Sequence, residues 1–174
     1  MFRLFFALPI DIDFKQRIIR AFHNKKSHCI RFTPEENLHI TIHFLGSTEE
    51  RKLEEIFSKA SAIAANFPSF ELKFENFRLI SKEKKPLMIW AQFEENPAFE
   101  KLSFQLREAF PTGEKRKPNP HATIARIKQL KRLPFELPAA KPFSFIADRL
   151  ELWESKLNSE GSKYFLLKNW NLKR

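Results

Sequence analysis

The sequence predicts an α+β fold built from two similar halves. Segments with the alternating apolar pattern of β-strands are interspersed with segments that have the apolar spacing of amphipathic helices, and hairpin-like pairs of strands are frequent. The pattern His-x-Thr-Ile occurs twice, as HITI at residues 39–42 and HATI at residues 121–124. A dipeptide starting with Asn37 precedes the first copy, and one starting with Asn119 precedes the second. The matching frames indicate equivalent strands in the two halves.

The length and composition favour one folded domain with a basic surface. The chain has 174 residues, is 43% hydrophobic and contains 20 Phe, which excludes a disordered chain and supplies a sizeable core. Its formal net charge of +10 favours a polyanionic partner such as RNA or DNA, or an anionic membrane surface; the alternative is a charge that serves solubility alone. A single cysteine, Cys29, excludes an intramolecular disulfide and fits a reducing compartment.

The first residues, MFRLFFALPIDID, do not have the pattern of a signal peptide. The apolar run is short, two Asp follow it, and no small-residue cleavage site is present. No stretch of the sequence approaches the length of a membrane span. We therefore expect a soluble cytoplasmic protein.

The N-terminal half is predicted to contain two strands and two helices. Residues 2–8 form a strand that Pro9 ends, and Asp11 or Asp13 caps a helix that runs to about residue 23. Residues 38–45 form the next strand, which Gly46 closes. Ser47 and Glu50 have the spacing of a capping box, so a second helix is expected to begin there.

The second half is predicted to repeat this mixture of strands and helices. A bulge is expected at residues 75–76, where the apolar alternation slips. The predicted elements are strands over residues 70–79 and 87–93, a helix over 97–110, a strand over 121–127, and strands near 143–153 and 164–170.

Several common chemistries lack their residues in this chain. Three glycines leave no Gly-rich phosphate loop, and there is no Walker-type P-loop, no paired cysteine for zinc and no Lys-x-Asp-Gly site for nucleotidyl transfer. ATP-dependent chemistry of the usual kinds is therefore not expected, and neither is a cofactor or a structural metal.

Strand geometry gives each His-x-Thr motif one polar face and one apolar face. Side chains alternate along a strand, so the polar face is expected to carry His39, Thr41 and His43, and the other face Ile40, Ile42 and Phe44. In the second motif His121 and Thr123 share the polar face. If the two strands lie side by side, two imidazoles and two hydroxyls meet in one cleft.

Two histidines in one cleft suit a reaction that takes one proton and gives another near neutral pH. In-line hydrolysis of a strained cyclic phosphate has this requirement, since a base activates water on one side of phosphorus and an acid protonates the leaving oxygen on the other. The threonine hydroxyls would hold the non-bridging oxygens, and no metal is required. The alternative for a lone histidine on a strand is a structural, hydrogen-bonded role, which we accept for His23 and His28.

These motifs resemble the two signatures of the 2H phosphoesterases. More narrowly, the chain resembles the RNA 2′,3′-cyclic phosphodiesterases, historically called 2′-5′ RNA ligases, from RLFFALPI through ENLHITIHFLG, LMIWAQF and PHATIAR to LELWESKLNSEGSKY. The resemblance implies a single bilobal domain over residues 1–174, in which two antiparallel sheets flank a central cleft with pseudo-twofold symmetry and the helices lie outside. We also expect a monomer.

The resemblance also implies roles for individual residues. His39 would be the proton donor to the departing 3′-oxygen, His121 would be the proton acceptor that activates water, and Thr41 and Thr123 would bind the phosphate. Spacing alone leaves the choice of acid and base open, because the chemistry is nearly symmetric.

Three further residues are candidates for substrate binding. Arg126 matches the family's arginine after the second motif and would steady a phosphate or a base; the alternative is a surface ion pair. Phe5 resembles a site-facing aromatic residue on which a nucleobase stacks, with core packing as the alternative. His43 would contact the substrate phosphate from the polar face of its strand.

The second motif lies in a strongly basic stretch. Residues 115–132 contain many Lys and Arg but no acidic residue. Such a stretch would lower the proton affinity of His121 and attract a polyanion, whereas the alternative is an ordinary solvated loop.

The function predicted from these features is metal-independent hydrolysis of RNA 2′,3′-cyclic phosphate ends to 2′-phosphate ends. Two alternatives remain open: ATP-independent 2′-5′ ligation by the same residues in reverse, and a non-catalytic nucleotide- or RNA-binding module on the same fold. Small cyclic nucleotides are an alternative substrate class.

Overall fold

The computed structural model describes residues 1–25, 27–128, 130–158 and 161–174. Within these ranges the chain forms three α-helices and nine β-strands, which is the predicted α+β class. Gln129 of the predicted basic stretch lies outside the described residues, as do Ser159 and Glu160 of the C-terminal segment that carries part of the family resemblance.

The helices are α1 (Ile12–Phe22), α2 (Leu53–Asn66) and α3 (Pro97–Ala109). The strands are β1 (Phe2–Pro9), β2 (Ile30–Phe32), β3 (His39–Thr48), β4 (Phe70–Lys82), β5 (Lys85–Phe93), β6 (His121–Ile127), β7 (Ser144–Ala147), β8 (Arg149–Asn158) and β9 (Gly161–Asn171).

The strands form one antiparallel sheet in the order β7-β4-β5-β6-β3-β1-β8-β9, with β2 also paired to β6. Its two halves meet at strands β3 and β6, where the described chain pairs Ile40 with Ala122. The two sheets expected from the sequence are therefore two halves of one sheet. The two His-x-Thr motifs lie at this short ladder between the halves.

The helices pack on the sheet through a shared apolar core. Helix α1 buries Phe14, Ile18 and Phe22. The Asp11 carboxylate accepts hydrogen bonds from the backbone N–H groups of residues 13 and 14, at 2.8 and 3.3 Å, and so caps the helix as predicted. Helix α2 packs against β9 and α3, and α3 packs against β3.

The predicted capping box at Ser47 is wrong. Strand β3 continues to Thr48, which lies opposite Phe2 of β1, and α2 begins at Leu53 after a short 3₁₀ turn. Gly46 does not close the strand; it sits within it at φ 74°, next to an irregularity in the register. Residues 47 and 48 therefore pair with β1 and do not cap a helix, although their sequence has the spacing of a capping box. The short strand β2 was not predicted.

A β-bulge follows the threonine of each motif. On β3, Thr41 lies opposite Ala7 and His43 lies opposite Phe6, which leaves Ile42 without a partner on β1. On β6, the register against β5 skips Ile124 in the same way. From the motif histidine onward, both strands show the same order of burial over six residues.

Each bulge exchanges the two faces of the strand for the residues that follow it. Phe44 and Arg126 consequently face the same side as the motif histidines and threonines. The prediction that His43 shares the face of His39 and Thr41 is wrong, and so is the prediction that Phe44 faces the core. His43 is 3% exposed, whereas Phe44 is 58% exposed.

Both bulges are held by hydrogen bonds from outside the ladder. The hydroxyl of Ser103 on α3 donates to the Ile42 carbonyl at 3.1 Å. The backbone N–H of Thr33 donates to the Ile124 carbonyl at 2.8 Å, and its hydroxyl donates to the Thr123 carbonyl at 2.7 Å. Tertiary contacts therefore satisfy the carbonyl of each bulged isoleucine.

We expect Ser103→Ala to lower the free energy of unfolding by about 1–3 kcal/mol, because Ser103 is fully buried and the substitution removes the hydroxyl that donates to the Ile42 carbonyl. Urea denaturation measures this change. Ser58→Ala, on the exposed face of α2, is the matched control and should change stability by less than about 0.5 kcal/mol. Equal effects of the two substitutions would contradict a role for Ser103 in holding the bulge.

Candidate active site

The two motifs border one cleft with a volume of about 1330 Å³. It collects every residue that the sequence analysis selected: His39, Thr41, His43, His121, Thr123, Arg126 and Phe5. The prediction that the two motifs meet in one cleft is confirmed by this geometry.

The antiparallel register between β3 and β6 places the histidine of each motif next to the threonine of the other. Because Ile40 lies opposite Ala122 in an antiparallel pair, His39 lies on the side of Thr123 and Thr41 lies on the side of His121. An imidazole of one motif and a hydroxyl of the other therefore face each other across the junction. A phosphate between the strands would be within reach of both motifs at once.

A backbone carbonyl fixes the orientation of each imidazole. Nδ1 of His39 lies 2.7 Å from the Asn37 carbonyl oxygen, and Nδ1 of His121 lies 2.8 Å from the Asn119 carbonyl oxygen. In each case Nδ1–H donates, so Nε2 is the nitrogen left to exchange a proton. The dipeptide that precedes each motif in the sequence thus supplies the carbonyl that orients the ring.

Aromatic side chains surround His39. Its ring centroid lies 4.9 Å from that of Phe5, 5.7 Å from that of Trp153 and 5.2 Å from that of Tyr164. Its Nε2 lies 3.1 Å from the Thr41 hydroxyl. In the neutral ring this nitrogen accepts a hydrogen bond from the hydroxyl.

His121 stacks on a tryptophan. The ring centroids of His121 and Trp90 are 3.7 Å apart and their planes differ by 22°. Trp90 lies opposite Thr123 on the neighbouring strand β5. Trp90 was predicted to lie in a strand, over residues 87–93, but was not assigned to the site.

Desolvation keeps both imidazoles neutral in the unliganded protein. The pKa of His39 is lowered from 6.5 to about 4, mainly by desolvation; the Asn37 carbonyl opposes this shift, and positive charge on His121 and Lys15 adds to it. The pKa of His121 is also lowered, and again the cause is desolvation. The predicted direction for His121 is therefore confirmed, but burial rather than the basic stretch produces it.

The acidic residues near the cleft already neutralise part of the basic stretch. Arg116 forms an ion pair with Glu114, and Lys117 bridges Glu95 and Glu100. Arg126 has no acidic partner in the described ranges; its contact there is a 3.7 Å approach of its Nη1 to the sulfur of Met88. The alternative prediction, that Arg126 forms a surface ion pair, is therefore not met among the described residues.

The structure gives His43 and Phe5 surroundings that differ from those predicted. Nε2–H of His43 donates to the Phe110 carbonyl at 2.8 Å, at the end of α3. Phe5 is 2% exposed and packs against His39, Phe44 and Tyr164, so the core-packing alternative describes its ring. Phe44, which the sequence analysis placed in the core, is the exposed aromatic residue beside it.

Among the described residues, no helix is both long and apolar enough to cross a membrane.

The chain is similar in sequence to known phosphoesterases. A model of the LigT-like phosphoesterases matches residues 8–90, which include the first motif. The chain is 27% identical to an RNA 2′,3′-cyclic phosphodiesterase of Thermotoga maritima over 95% of this chain and 92% of that protein. It is also 27% identical to a protein of the same name from Methanocaldococcus jannaschii, over 97% and 99% of the two chains.

Solved structures share the fold over nearly the whole chain. A Thermus thermophilus protein superposes with a TM-score of 0.85 at 22% identity, covering 98% of this chain and 97% of that one. The Escherichia coli LigT protein in complex with NADP⁺ superposes with a TM-score of 0.82 at 21% identity, covering 99% of each chain. The chain is therefore similar to the LigT-like phosphoesterases in sequence over residues 8–90, and it shares its fold with solved structures over nearly its whole length.

The low pKa of His39 predicts a pH-dependent contribution to stability. As the pH falls from about 6.5 toward 4, the unfolded chain binds a proton at this residue while the folded protein does not, so the folded protein loses stability. We expect wild type to lose up to about 1.4 kcal/mol per pH unit relative to His39→Gln over this range. Urea denaturation of both proteins from pH 8 to pH 4 measures the difference, which should be constant between pH 7 and 8. A difference that is also constant below pH 6.5 would contradict the neutral, desolvated ring.

Proposed function

We propose that this protein hydrolyses RNA 2′,3′-cyclic phosphate ends to 2′-phosphate ends by general acid–base catalysis, without a metal ion. The observation that carries this proposal is the pair of imidazoles in one cleft, each with Nδ1 fixed on a backbone carbonyl and Nε2 left to exchange a proton. The names of the relatives from Thermotoga maritima and Methanocaldococcus jannaschii support the choice of substrate. Solved complexes of Escherichia coli LigT with phosphate and with 3′-AMP also favour a phosphate-containing ligand.

In the proposed reaction, Nε2 of His121 takes a proton from water and the water oxygen attacks phosphorus. The bond between phosphorus and the 3′-oxygen breaks, and this oxygen receives a proton from Nε2 of His39. The product is a 2′-phosphomonoester with a free 3′-hydroxyl. His121 then returns its proton to solvent, which restores the neutral starting state, and His39 takes up a proton again when the next substrate binds.

Thr41 and Thr123 are proposed to donate hydrogen bonds to the non-bridging phosphate oxygens, where negative charge develops. The Thr41 hydroxyl lies beside Nε2 of His39, so rotation toward a bound phosphate would free that nitrogen to hold its own proton. Arg126 borders the same cleft without an acidic partner among the described residues and would balance the phosphate charge.

Substrate binding supplies the charge that the acid needs. His39 is neutral at pH 7 in the unliganded protein because its pKa is about 4. An anionic phosphate beside the ring favours the protonated form and raises this pKa. In this proposal His39 therefore becomes protonated when the substrate binds.

The proposal is tested with a short RNA that ends in a 2′,3′-cyclic phosphate, incubated with the protein in excess EDTA. We expect full conversion to the 2′-phosphate product, identified by chromatography against 2′- and 3′-phosphate standards. Unchanged RNA, or product that forms only when a divalent metal is added, would refute the proposal. Product carrying a 3′-phosphate would show that the 2′-oxygen leaves and would overturn the assigned direction of ring opening.

Loss of either motif histidine should abolish turnover without abolishing folding. We expect His39→Ala and His121→Ala each to lower kcat/KM by at least about a hundredfold, because each removes one proton-transfer group. His23→Ala, at an exposed ring outside the cleft, is the control and should retain wild-type activity. Turnover that persists in both motif variants while RNA binding disappears would favour the non-catalytic binding module.

The lowered pKa values predict that kcat/KM declines as the pH rises through neutrality. This parameter reports the free protein, which needs one protonated and one neutral imidazole, and both pKa values lie below 6.5. The decline of kcat should occur at higher pH, since bound phosphate raises both pKa values. Initial rates from pH 4 to 9 measure the two profiles, and a kcat/KM that stays constant from pH 6 to 8 would contradict the assignment.

A further inference from the structure

Gln92 is a buried polar residue beside the proposed base. It lies on β5 directly opposite His121 of β6 and is 6% exposed. Unlike Trp90 on the same strand, it does not line the cleft, so it can act on a bound substrate only through other residues. A buried amide needs hydrogen-bond partners, and Gln92 finds them in the segment that leads into the second motif.

The side-chain amide of Gln92 ties this segment to strand β5. Its Nε2 donates to Oδ1 of Asn119 at 2.5 Å and to the Pro120 carbonyl at 3.2 Å, and it lies 3.0 Å from the Phe93 carbonyl. In return, Nδ2 of Asn119 donates to Oε1 of Gln92 at 3.4 Å. The side chains of Gln92 and Asn119 therefore form a reciprocal pair of amides, which we call the amide clamp.

The amide clamp holds the residue whose carbonyl orients His121. This carbonyl belongs to Asn119 and lies 2.8 Å from Nδ1 of the ring. Residues 111–120 contain no helix or strand, and the sequence Pro-Asn-Pro at 118–120 has a single backbone N–H. The backbone contributes one bond to β5 here, from the Phe93 N–H to the Pro120 carbonyl at 3.0 Å. The amide clamp thus supplies hydrogen bonds that this stretch of backbone lacks.

The first motif holds its carbonyl by a different means. Asn37 ends a 3₁₀ turn over Glu35–Asn37, in which its backbone N–H donates to the Pro34 carbonyl at 2.9 Å. The residue opposite His39 on β1 is Pro9, which has no polar side chain. A backbone turn therefore fixes the carbonyl in the first motif, and the amide clamp fixes it in the second.

We propose that Gln92 is a positioning residue for His121, and that the amide clamp keeps this ring in the tautomer that acts as a base. With Nδ1–H bonded to the Asn119 carbonyl, Nε2 carries no proton and accepts one from water. When this bond loosens, the neutral ring also adopts the tautomer with its hydrogen on Nε2, which accepts no proton there. The inference rests on the proposed function and deepens it, because it names the contacts that prepare His121 for proton transfer.

Gln92→Met tests this role, because methionine has a similar length but lacks the amide. With a short RNA that ends in a 2′,3′-cyclic phosphate, we expect kcat to fall about tenfold, since the base is less often in the reactive form. KM should stay within about twofold of wild type, because the residues that line the cleft are unchanged. The loss should be smaller than that of His121→Ala, in which the ring is absent.

The tautomer of His121 is measured independently of turnover. In protein labelled with ¹⁵N-histidine, long-range ¹H–¹⁵N spectra at pH 8, where both motif rings are neutral, distinguish a protonated ring nitrogen from a bare one. His121→Ala identifies the signals of this ring. We expect the Nδ1–H form in wild type and a shift of both ring nitrogens toward the Nε2–H form in Gln92→Met, with the signals of His39 unchanged.

Ser103→Ala is the matched control for a general loss of stability. It also removes a buried side-chain donor to a backbone carbonyl, but the carbonyl lies on β3 beside the first motif. It should lower the midpoint of urea denaturation, as Gln92→Met does, and leave the His121 tautomer as in wild type.

The outcomes separate this inference from the proposed function. If wild type leaves the RNA unchanged, the proposed function fails, whatever the tautomer of His121. If wild type hydrolyses the RNA and Gln92→Met lowers kcat with the wild-type tautomer retained, the positioning role is refuted. A shifted tautomer with unchanged kcat, or an equal shift in Ser103→Ala, also refutes it.

Discussion

The bulge after each motif threonine determines which side chains reach the cleft. A strand that alternated regularly from His39 would present His43 to the cleft and turn Phe44 inward, and the second strand would turn Arg126 away. The extra residue reverses this order on both strands at the same position. The histidine and threonine, which both motifs share, precede the bulge. The cleft-facing residue that follows it differs between the halves: Phe44 on β3 and Arg126 on β6. Because Ser103 and Thr33 bind the bulged carbonyls, the helix and loop packed on the sheet hold the geometry of the cleft.

Much of the fold follows from local patterns in the sequence. Strand β6 runs from His121 to Ile127 as predicted, Asp11 caps α1, and the irregularity predicted in β4 is found between Phe74 and Asn76. These features depend on residues that are neighbours in the chain. The convergence of the two motifs was also predictable, since each motif carries the same polar face and the family resemblance places both in one cleft.

The errors arise where distant contacts decide the outcome. Nothing in the alternation of HITIHF marks Ile42 as a bulged residue, because the hydrogen bond that satisfies its carbonyl comes from Ser103 on a helix. For this reason the sequence predicted the wrong face for both residues: His43 is buried and Phe44 is exposed. Ser47 and Glu50 have a valid capping spacing, but pairing of β1 out to Thr48 makes the helix begin later. In each case a tertiary contact competes with a local preference and wins.

The electrostatics of the cleft connect binding with protonation. Two partly desolvated imidazoles lie close enough that charge on His121 lowers the pKa of His39, so the unliganded site excludes protons from both rings at neutral pH. An anion between them reverses this preference. In the proposed reaction a neutral ligand of the same shape would occupy the cleft without raising the pKa of His39, so His39 would stay unprotonated. The site would then select a phosphate through the protonation of His39 as well as through direct contacts with the ligand.

The equivalence of the two halves limits what the backbone can specify. Both imidazoles are oriented by the carbonyl two residues earlier, and both precede the same bulge, so the frame alone does not distinguish acid from base. The difference has to come from side chains at equivalent positions: Phe44 opposite Phe5 on one flank, and Arg126 opposite Met88 on the other.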